Sequence, residues 1–295
     1  MNMYVPSASI SAMILRIWKN RGRWLIDLIH LDFIRNALFA VFLCGIMGGI
    51  IGSYVVVNRI VFLAGGVAHA SFGGIGLAYL LGTAVLPTTF VFAVMVSVLI
   101  GLMTMNDSEK MDTVIGITWS AGMALGVVFL ELTPGYKGNL MGYLFGSILS
   151  VSESDLLLML SCTFIVIIIV TVFYRNLAIM SFDREFAAAK GIPVKFFHVL
   201  ILLLLGLALV VMIRVSGLIL VIALLSIPPA ISAKFSKSFL SMISYSVIIC
   251  LAAGYAGLFF SYWFSISSGA SIILCMTFFY IVADILDRTV LKAGI

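Results

Sequence analysis

A single histidine, His69, lies inside an apolar, glycine-rich stretch at 62–82, FLAGGVAHASFGGIGLAYLLG. Between Arg59 and Asp107 no other acidic, basic or imidazole side chain occurs. Ionisable groups at membrane depth are rare and mark substrate or ion pathways, and imidazole is the commonest metal-binding side chain in proteins. The pattern therefore favours a metal-cation pathway beside His69. The structural alternative is a neutral histidine that hydrogen-bonds a carbonyl of a neighbouring helix.

Small residues surround the histidine at helical spacing. Four of them lie four positions apart on one face of the stretch: Gly66, Ala70, Gly74 and Ala78. Faces of this kind let two membrane helices approach backbone to backbone. Because small residues also leave space beside an imidazole, Gly65, Gly66 and Gly73 are candidate pathway or gate positions. Tight helix packing is the alternative role for each glycine.

The composition is that of a polytopic membrane protein. Of 295 residues, 63% are hydrophobic and only 10% are charged, whereas ordinary soluble domains have about a quarter charged residues. The net charge of +5 does not indicate nucleic-acid binding, because the basic residues are scattered at the ends of apolar runs. The four cysteines lie in apolar runs without a CxxC pair, which argues against disulfides and thiolate metal sites: Cys44, Cys162, Cys250 and Cys275.

We predict an all-α polytopic membrane protein with about eight to nine transmembrane helices plus a short half-helix. Apolar runs approach or exceed the roughly 20 residues that span a bilayer, at 33–57, 60–82, 85–105, 114–131, 156–174, 198–213, 216–232, 239–262 and 269–286. The segment at 140–150 is too short to cross comfortably and is predicted to be a half-helix or re-entrant element. One transmembrane domain is expected at 33–287, followed by a tail at 288–295.

The basic residues orient the chain only in part. Four of them lie in the polar interval at 175–197, which we therefore expect to be cytoplasmic: Arg175, Arg184, Lys190 and Lys195. The N-terminal segment at 1–32 is either a basic amphipathic helix on the inner membrane surface or a basic tail that only sets orientation. If that segment is inside, Arg59 falls outside, against the positive-inside rule, so the orientation of the N-terminal half stays open.

Polar residues and prolines at the ends of spans are further candidates. Glu131 and Asp155 could dock a partner protein or steer cations, and a solvated helix end is the simpler role for each. Pro228 and Pro229 are expected to break or kink the inner end of their span. There they either terminate a helix or shape a gate.

The interval DREFAAAKGIP at 183–193 predicts a short exposed helix. Charged residues flank a run of alanines, and Gly191 with Pro193 provides a helix-stop signal. Such a helix suits docking into a cleft of a soluble protein, and a solvated connector is the alternative. No P-loop, HExxH, GxSxG or dinucleotide-binding motif occurs. We therefore expect no enzyme activity, and if the protein pumps, another protein supplies the energy.

Several blocks, in order along the chain, resemble the permease subunits of bacterial zinc and manganese ABC importers. They are HASFGGIGLAYLLG at 69–82, DTVIGITWSAGMALGVVFL at 112–130, LMGYLFGSILSVSESDLL at 140–157, DREFAAAKGIPVKFFHVLILLLL at 183–205, VSGLILVIALLSIPPAISAKF at 215–235 and SGASIILCMTFFYIVADI at 268–285. The resemblance implies a multi-pass permease of the bacterial inner membrane that pairs with a second copy. A cytoplasmic ATPase dimer would use ATP to drive it, and an extracellular or periplasmic binding protein would deliver Zn²⁺ or Mn²⁺ as cargo, with no covalently bound cofactor.

The resemblance also implies roles for particular residues. Within a cytoplasmic coupling segment at about 183–195, four residues align with the family's coupling helix, which transmits ATPase closure: Asp183, Glu185, Ala188 and Gly191. His69 aligns with the histidine of the family's Asp-x-x-x-His motif. The aspartate position is Gly65 here, so the carboxylate that would share a cation with the imidazole is missing.

The expected mechanism is alternating access. A cation released by the binding protein passes near His69, and movement of the coupling segment opens the inner side. Two other functions stay open: an ABC permease for another cargo, such as an iron chelate or a cobalamin-like molecule, and a proton-coupled secondary metal carrier. The carrier predicts acidic residues within the spans, whose cores contain almost none.

Overall fold

Nine long helices form the part of the molecule that the computed structural model describes, at residues 32–104, 111–134 and 148–291. By length and composition, each of the nine can cross a membrane. In chain order the helices are α1 (Asp32–Val57), α2 (Val61–Leu81), α3 (Val85–Thr104), α4 (Met111–Glu131), α5 (Glu153–Phe182), the short α6 (Arg184–Ala189), α7 (Val194–Ser216), α8 (Leu218–Phe235), α9 (Phe239–Phe264) and α10 (Ser268–Leu286). A 3₁₀ turn at Ile148–Ser150 precedes α5, and a π-helical turn at Asp287–Leu291 follows α10.

The predicted all-α polytopic class is confirmed, and each predicted span corresponds to one long helix, although the span at 216–232 begins on the last residue of α7. The largest difference is α5, which has 30 residues and extends beyond the predicted 156–174 at both ends. Arg175 does not end this helix, because a long basic side chain can reach the membrane surface from within it. Of the predicted half-helix at 140–150, only the turn at 148–150 lies in the described ranges. Residues 1–31 and 292–295 lie outside them.

Pro228 and Pro229 do not end their helix, so of their two predicted roles, termination and shaping a gate, termination is wrong. They lie inside α8, which continues to Phe235. A proline has no N–H to bond the carbonyl four residues earlier. The carbonyl oxygens of Leu224 and Leu225 therefore lose their helical donors.

Neighbouring helices cover these two carbonyl oxygens. The Cys250 thiol on α9 donates a weak hydrogen bond to the Leu224 oxygen, with 3.9 Å between sulfur and oxygen. The backbone of α1 approaches the other oxygen so closely that a Cβ at Gly52 would lie 2.8 Å from the Leu225 oxygen. Membrane helices tolerate proline where packed neighbours shield the freed backbone groups. This explains why the local helix-breaking tendency is overridden.

Contacts between connections show which ends of the helices lie together. Asn58, in the α1–α2 turn, donates a 2.8 Å hydrogen bond to the Ser181 hydroxyl at the end of α5. At the opposite end Asn36 donates to the Val151 carbonyl at 3.2 Å. We call the end that carries α6 the inner end and the opposite one the outer end. The α1–α2 turn, and Arg59 within it, therefore lies at the inner end.

Basic residues of the described part are concentrated toward the inner end. These are Arg59, Arg175, Arg184, Lys190, Lys195, Lys234, Lys237 and Arg288, whereas Arg35 and Arg214 lie toward the outer end. By the positive-inside rule we expect the inner end to be cytoplasmic. Arg59 then agrees with the positive-inside rule, because α1 begins at the outer end and runs inward.

Glycines bring the backbones of α2 and α4 into direct contact, as the small face of α2 predicts. A Cβ at Gly122 would lie 2.6 Å from Cα of Ala70, and one at Gly76 would lie 2.5 Å from the carbonyl oxygen of Gly126. Real Cβ atoms do not approach backbone this closely. In lipid, where apolar burial gives little drive for association, such close packing is what holds helices together.

Adding one methyl group at this contact should loosen the bundle. We expect Gly122→Ala to lower the free energy of unfolding by about 1–3 kcal/mol, the usual cost of overpacking. Gly116→Ala is the matched control on the same helix, because a Cβ there meets nothing within 4 Å. It should be neutral or stabilise by up to about 1 kcal/mol. Thermal unfolding of purified protein in detergent measures both, and an unchanged melting temperature for Gly122→Ala would contradict the packing role.

Candidate functional site

His69 stacks face to face on Trp119. The ring centroids are 4.0 Å apart and the planes differ by 13°. The Nδ1 atom of His69 is buried and has no hydrogen-bond partner among the described residues, while the residue as a whole is partly exposed. The predicted alternative, an imidazole satisfied by a neighbouring carbonyl, is therefore not what the structure shows at Nδ1. A buried ring nitrogen without a partner is a candidate ligand atom.

Close contacts between α2 and α4 on both sides of this stack hold it in place. Three residues before His69, a Cβ at Gly66 would lie 2.6 Å from the Ile115 side chain, and the residue after His69, Ala70, meets Gly122. The stacked residues lie between these two contacts. The register of α2 against α4 therefore determines where the imidazole lies. The sequence analysis missed Trp119, because no spacing rule connects residues on two different helices.

The three candidate gate glycines separate into two kinds. A Cβ at Gly73 would lie 2.8 Å from the Phe92 ring and 2.9 Å from the Gly122 carbonyl oxygen, and Gly66 is equally crowded. At Gly65 a Cβ would meet only Ile222, at 4.0 Å. Space beside the histidine thus exists at Gly65, one helical turn before it, where the resemblance implies an aspartate.

One chain does not assemble a complete metal site among its described residues. No group of three or more His, Cys, Asp or Glu side chains that could hold a metal ion occurs there. Two cavities, of about 870 Å³ at the inner end and 440 Å³ at the outer end, are not lined by His69. The imidazole is therefore a single candidate ligand in one chain, and the residue is partly exposed.

The two candidate docking acids both lie at the outer end. Glu131 ends α4 and is exposed. Asp155 has structural contacts: its Oδ2 accepts a hydrogen bond from the Ser152 hydroxyl at 2.6 Å, and its Oδ1 accepts from Arg214 Nε at 3.3 Å. Asp155 thereby caps α5 and ties it to the end of α7.

The predicted coupling segment is a short exposed helix at the inner end. Asp183 caps α6 by accepting a 2.9 Å hydrogen bond from the Phe186 backbone N–H. Glu185 and Ala188 are exposed, and Gly191 ends the turn with φ 76°, a left-handed conformation that glycine adopts without strain. The structure thus shows the helix and the stop signal that the sequence predicts.

A bundle of nine membrane-crossing helices with a small helix exposed at its basic end has the architecture of a multi-pass permease. Residues 30–287 match the model of the family described as the ABC 3 transport family, and the chain belongs to this family. The predicted resemblance to importer permeases is thus confirmed, and within an ABC importer the permease is a subunit separate from the ATPase.

Two similar proteins and one solved structure each match more than four fifths of this chain. An uncharacterized membrane protein of Synechocystis sp. is 36% identical over 88% of this chain and 92% of its own length. MntC of Halalkalibacterium halodurans, named a manganese transport system membrane protein, is 32% identical over 84% of this chain and 85% of its own. The solved structure of PsaBC from Streptococcus pneumoniae in complex with Fab is similar with a TM-score of 0.80 and 30% identity, covering 89% of this chain and 94% of that one.

Removing the indole ring should uncover one face of the imidazole. We expect Trp119→Leu to react several-fold faster at His69 with diethyl pyrocarbonate, whereas Trp119→Phe, which keeps an aromatic ring for stacking, stays close to the wild-type rate. Mass spectrometry of the peptide containing His69 measures the rate. Trp263→Leu, at an exposed position on α9, controls for general loosening, and equal rates in all four proteins would contradict shielding by Trp119.

Proposed function

We propose that this chain is the membrane permease of an ATP-driven importer that carries a divalent transition-metal cation, Mn²⁺ or Zn²⁺, into a bacterial cytoplasm. The observation that carries the proposal is His69, a lone imidazole with an unpartnered nitrogen on a membrane helix whose packing is set by glycines. The name of the relative from Halalkalibacterium halodurans, a manganese transport protein, supports the class of cargo.

In the proposal, a second copy of the chain completes the path. Because one protomer contributes one imidazole, a two-fold axis near His69 would bring a second imidazole to the same cation. The ion keeps part of its water shell and stays briefly. Transport needs binding that is weak enough to release the ion, so two imidazoles without a full cage suit a conduit.

The absence of a carboxylate at Gly65 bears on the choice of metal. Carboxylate oxygens suit Mn²⁺, whereas imidazole suits Zn²⁺ and other later transition metals. A site built from imidazole alone should bind Zn²⁺ more tightly than Mn²⁺, and a carboxylate at position 65 would reduce that difference. We therefore propose that both ions are carried and that Gly65 is the position that tunes their ratio.

The proposed energy source is an ATPase dimer that docks on α6. Its exposed face, including Glu185 and Ala188, fits a cleft on a soluble partner, and the caps at Asp183 and Gly191 keep the helix rigid. At the outer end, Glu131 and the ion-paired Asp155 belong to the surface proposed to receive the metal-binding protein. Closure of the ATPase would move α6. That movement would switch the cation path beside His69 between outward and inward access.

The alternatives receive less support from the described residues. An iron chelate or a cobalamin-like cargo needs a wide cavity along the path, and neither cavity reported above includes His69. A proton-coupled carrier needs acidic groups within the membrane. The acidic residues of the described spans lie near helix ends: Asp32, Asp112, Glu131, Glu153, Asp155 and Asp284.

Loss of the imidazole should abolish most transport. Mutation of a group that only orients a metal ligand lowers metal affinity or activity by about 10–100-fold. We therefore expect His69→Ala to reduce the initial rate of Mn²⁺ and Zn²⁺ uptake by about tenfold or more. The measurement uses radioactive ions and proteoliposomes that contain the permease–ATPase complex. Equal incorporation of the variant, checked by immunoblot, is the control, and wild-type uptake of both ions would remove His69 from the proposed path.

Restoring the carboxylate should shift the metal preference. Gly65→Asp fits the open space on α2, and Gly65→Asn is its uncharged match. We expect the aspartate variant to raise the ratio of Mn²⁺ to Zn²⁺ uptake several-fold relative to the asparagine variant, because only the carboxylate adds a hard, charged oxygen ligand. Competition between the two ions in the same vesicles gives the ratio directly. Identical ratios for the two variants would contradict the assignment of Gly65 to the path.

A further inference from the structure

The cavity of about 870 Å³ at the inner end is lined by three basic side chains from three different connections. Arg59 comes from the α1–α2 turn, Lys237 from the α8–α9 turn, and Arg184 begins α6. None of the described residues that line it is acidic. Arg59 and Lys237 form no ion pair within the described ranges, and Arg184 contacts only Nδ1 of His198, at 3.5 Å.

The floor of the cavity is apolar and aromatic. Phe182 and Phe239 line it, with ring centroids 5.6 Å apart in an edge-to-face arrangement, and Val56 and Met242 extend the same surface. Tyr54 packs against Phe239 from below, with centroids 4.8 Å apart. These residues belong to helix ends, so the floor lies where the bundle leaves the hydrocarbon, and the basic rim lies just beyond it.

The rim is held in a defined shape before any ligand binds. The side-chain amide of Asn58 donates to the Tyr54 carbonyl at 2.9 Å and to the Ser181 hydroxyl at 2.8 Å. Arg59 follows with φ 59°, a left-handed conformation that is uncommon outside glycine. Ser238 caps α9 on the opposite side of the cavity. The basic side chains of the rim are thus carried by turns that hydrogen bonds hold in place.

The charge of this cavity fits neither a metal path nor a purely polar ligand. Three cations with no acidic side chain among the described residues that line the cavity repel a divalent cation, so the cavity is separate from the proposed route past His69. A free anion would use the rim but not the aromatic floor. A molecule that carries a phosphate beside hydrocarbon uses both.

We propose that this cavity binds the headgroup of an anionic phospholipid from the cytoplasmic leaflet. Basic pockets between membrane helices on the cytoplasmic side are suited to such headgroups. The guanidinium groups of Arg59 and Arg184 offer paired donors to phosphate oxygens, Lys237 adds a third charge, and the glycerol and first methylenes lie over Phe182 and Phe239. The site links α1, α5, α6, α8 and α9 at the end where the coupling helix lies.

The test compares ligand-induced stabilisation of the purified permease–ATPase complex in detergent. Dioctanoyl phosphatidylglycerol should raise the melting temperature of the permease, whereas dioctanoyl phosphatidylcholine and inorganic phosphate should not. In Arg59→Gln/Lys237→Gln the apparent affinity for phosphatidylglycerol should fall by about tenfold or more, from a contribution of about 1 kcal/mol for each lost cation. Arg175→Gln/Lys195→Gln removes two exposed cations of the same end outside the cavity and should retain wild-type affinity.

Three results would overturn the proposal. Equal stabilisation by phosphatidylcholine would show that the cavity does not recognise the negative charge of the headgroup. Equal stabilisation by inorganic phosphate would show an anion site rather than a lipid site. An unchanged lipid affinity in Arg59→Gln/Lys237→Gln, with loss of ATPase copurification instead, would assign the basic rim to an acidic protein partner.

If the double variant does not fold, Ser236→Cys provides a second test of lipid binding in the cavity. Ser236 lines the same cavity, and phosphatidylglycerol should slow its reaction with a maleimide several-fold, while phosphatidylcholine should not. Equal protection by both lipids, or by neither, would contradict a headgroup site.

Discussion

The approach of α2 to α4 is the constraint on which the candidate site depends. Gly122 of α4 meets the backbone of Ala70 on α2, and Gly76 of α2 meets the backbone of Gly126 on α4. Lipid offers the helices little gain from burying apolar surface, so contacts at this distance determine how they pack. The imidazole of His69 and the indole of Trp119 are brought into a parallel stack by this packing and not by any hydrogen bond between them.

A second constraint is that backbone polar groups must be covered inside a membrane. Pro228 and Pro229 leave two carbonyl oxygens of α8 without helical donors, and the packed helices α1 and α9 cover them. The Cys250 thiol reaches one oxygen, and the backbone near Gly52 closes over the other. A cysteine and a glycine that read as ordinary core residues in the sequence therefore make a proline pair possible in a continuous helix.

Features that belong to one helix could be predicted from the sequence, and features between helices could not. Nine apolar runs, the small face of α2 and the stop at Gly191 each follow from local spacing, and the structure shows all of them. The partner of His69 lies on a different helix, so periodicity could not identify Trp119. The orientation of Arg59 likewise depends on a tertiary contact, between Asn58 and Ser181. Of the two roles predicted for the prolines, helix termination was wrong because helix-breaking is a local tendency that packing overrides.

The length of α5 has a mechanical consequence. Its 30 residues correspond to a rod of about 45 Å, longer than the hydrocarbon layer of about 30 Å. At one tip Asp155 fastens the rod to Arg214, and at the other a single residue, Asp183, is both its final cap and the first cap of α6. Only Asp183 separates the two helices at that joint, so we expect a displacement of α6 at one membrane face to move the adjoining end of α5 directly.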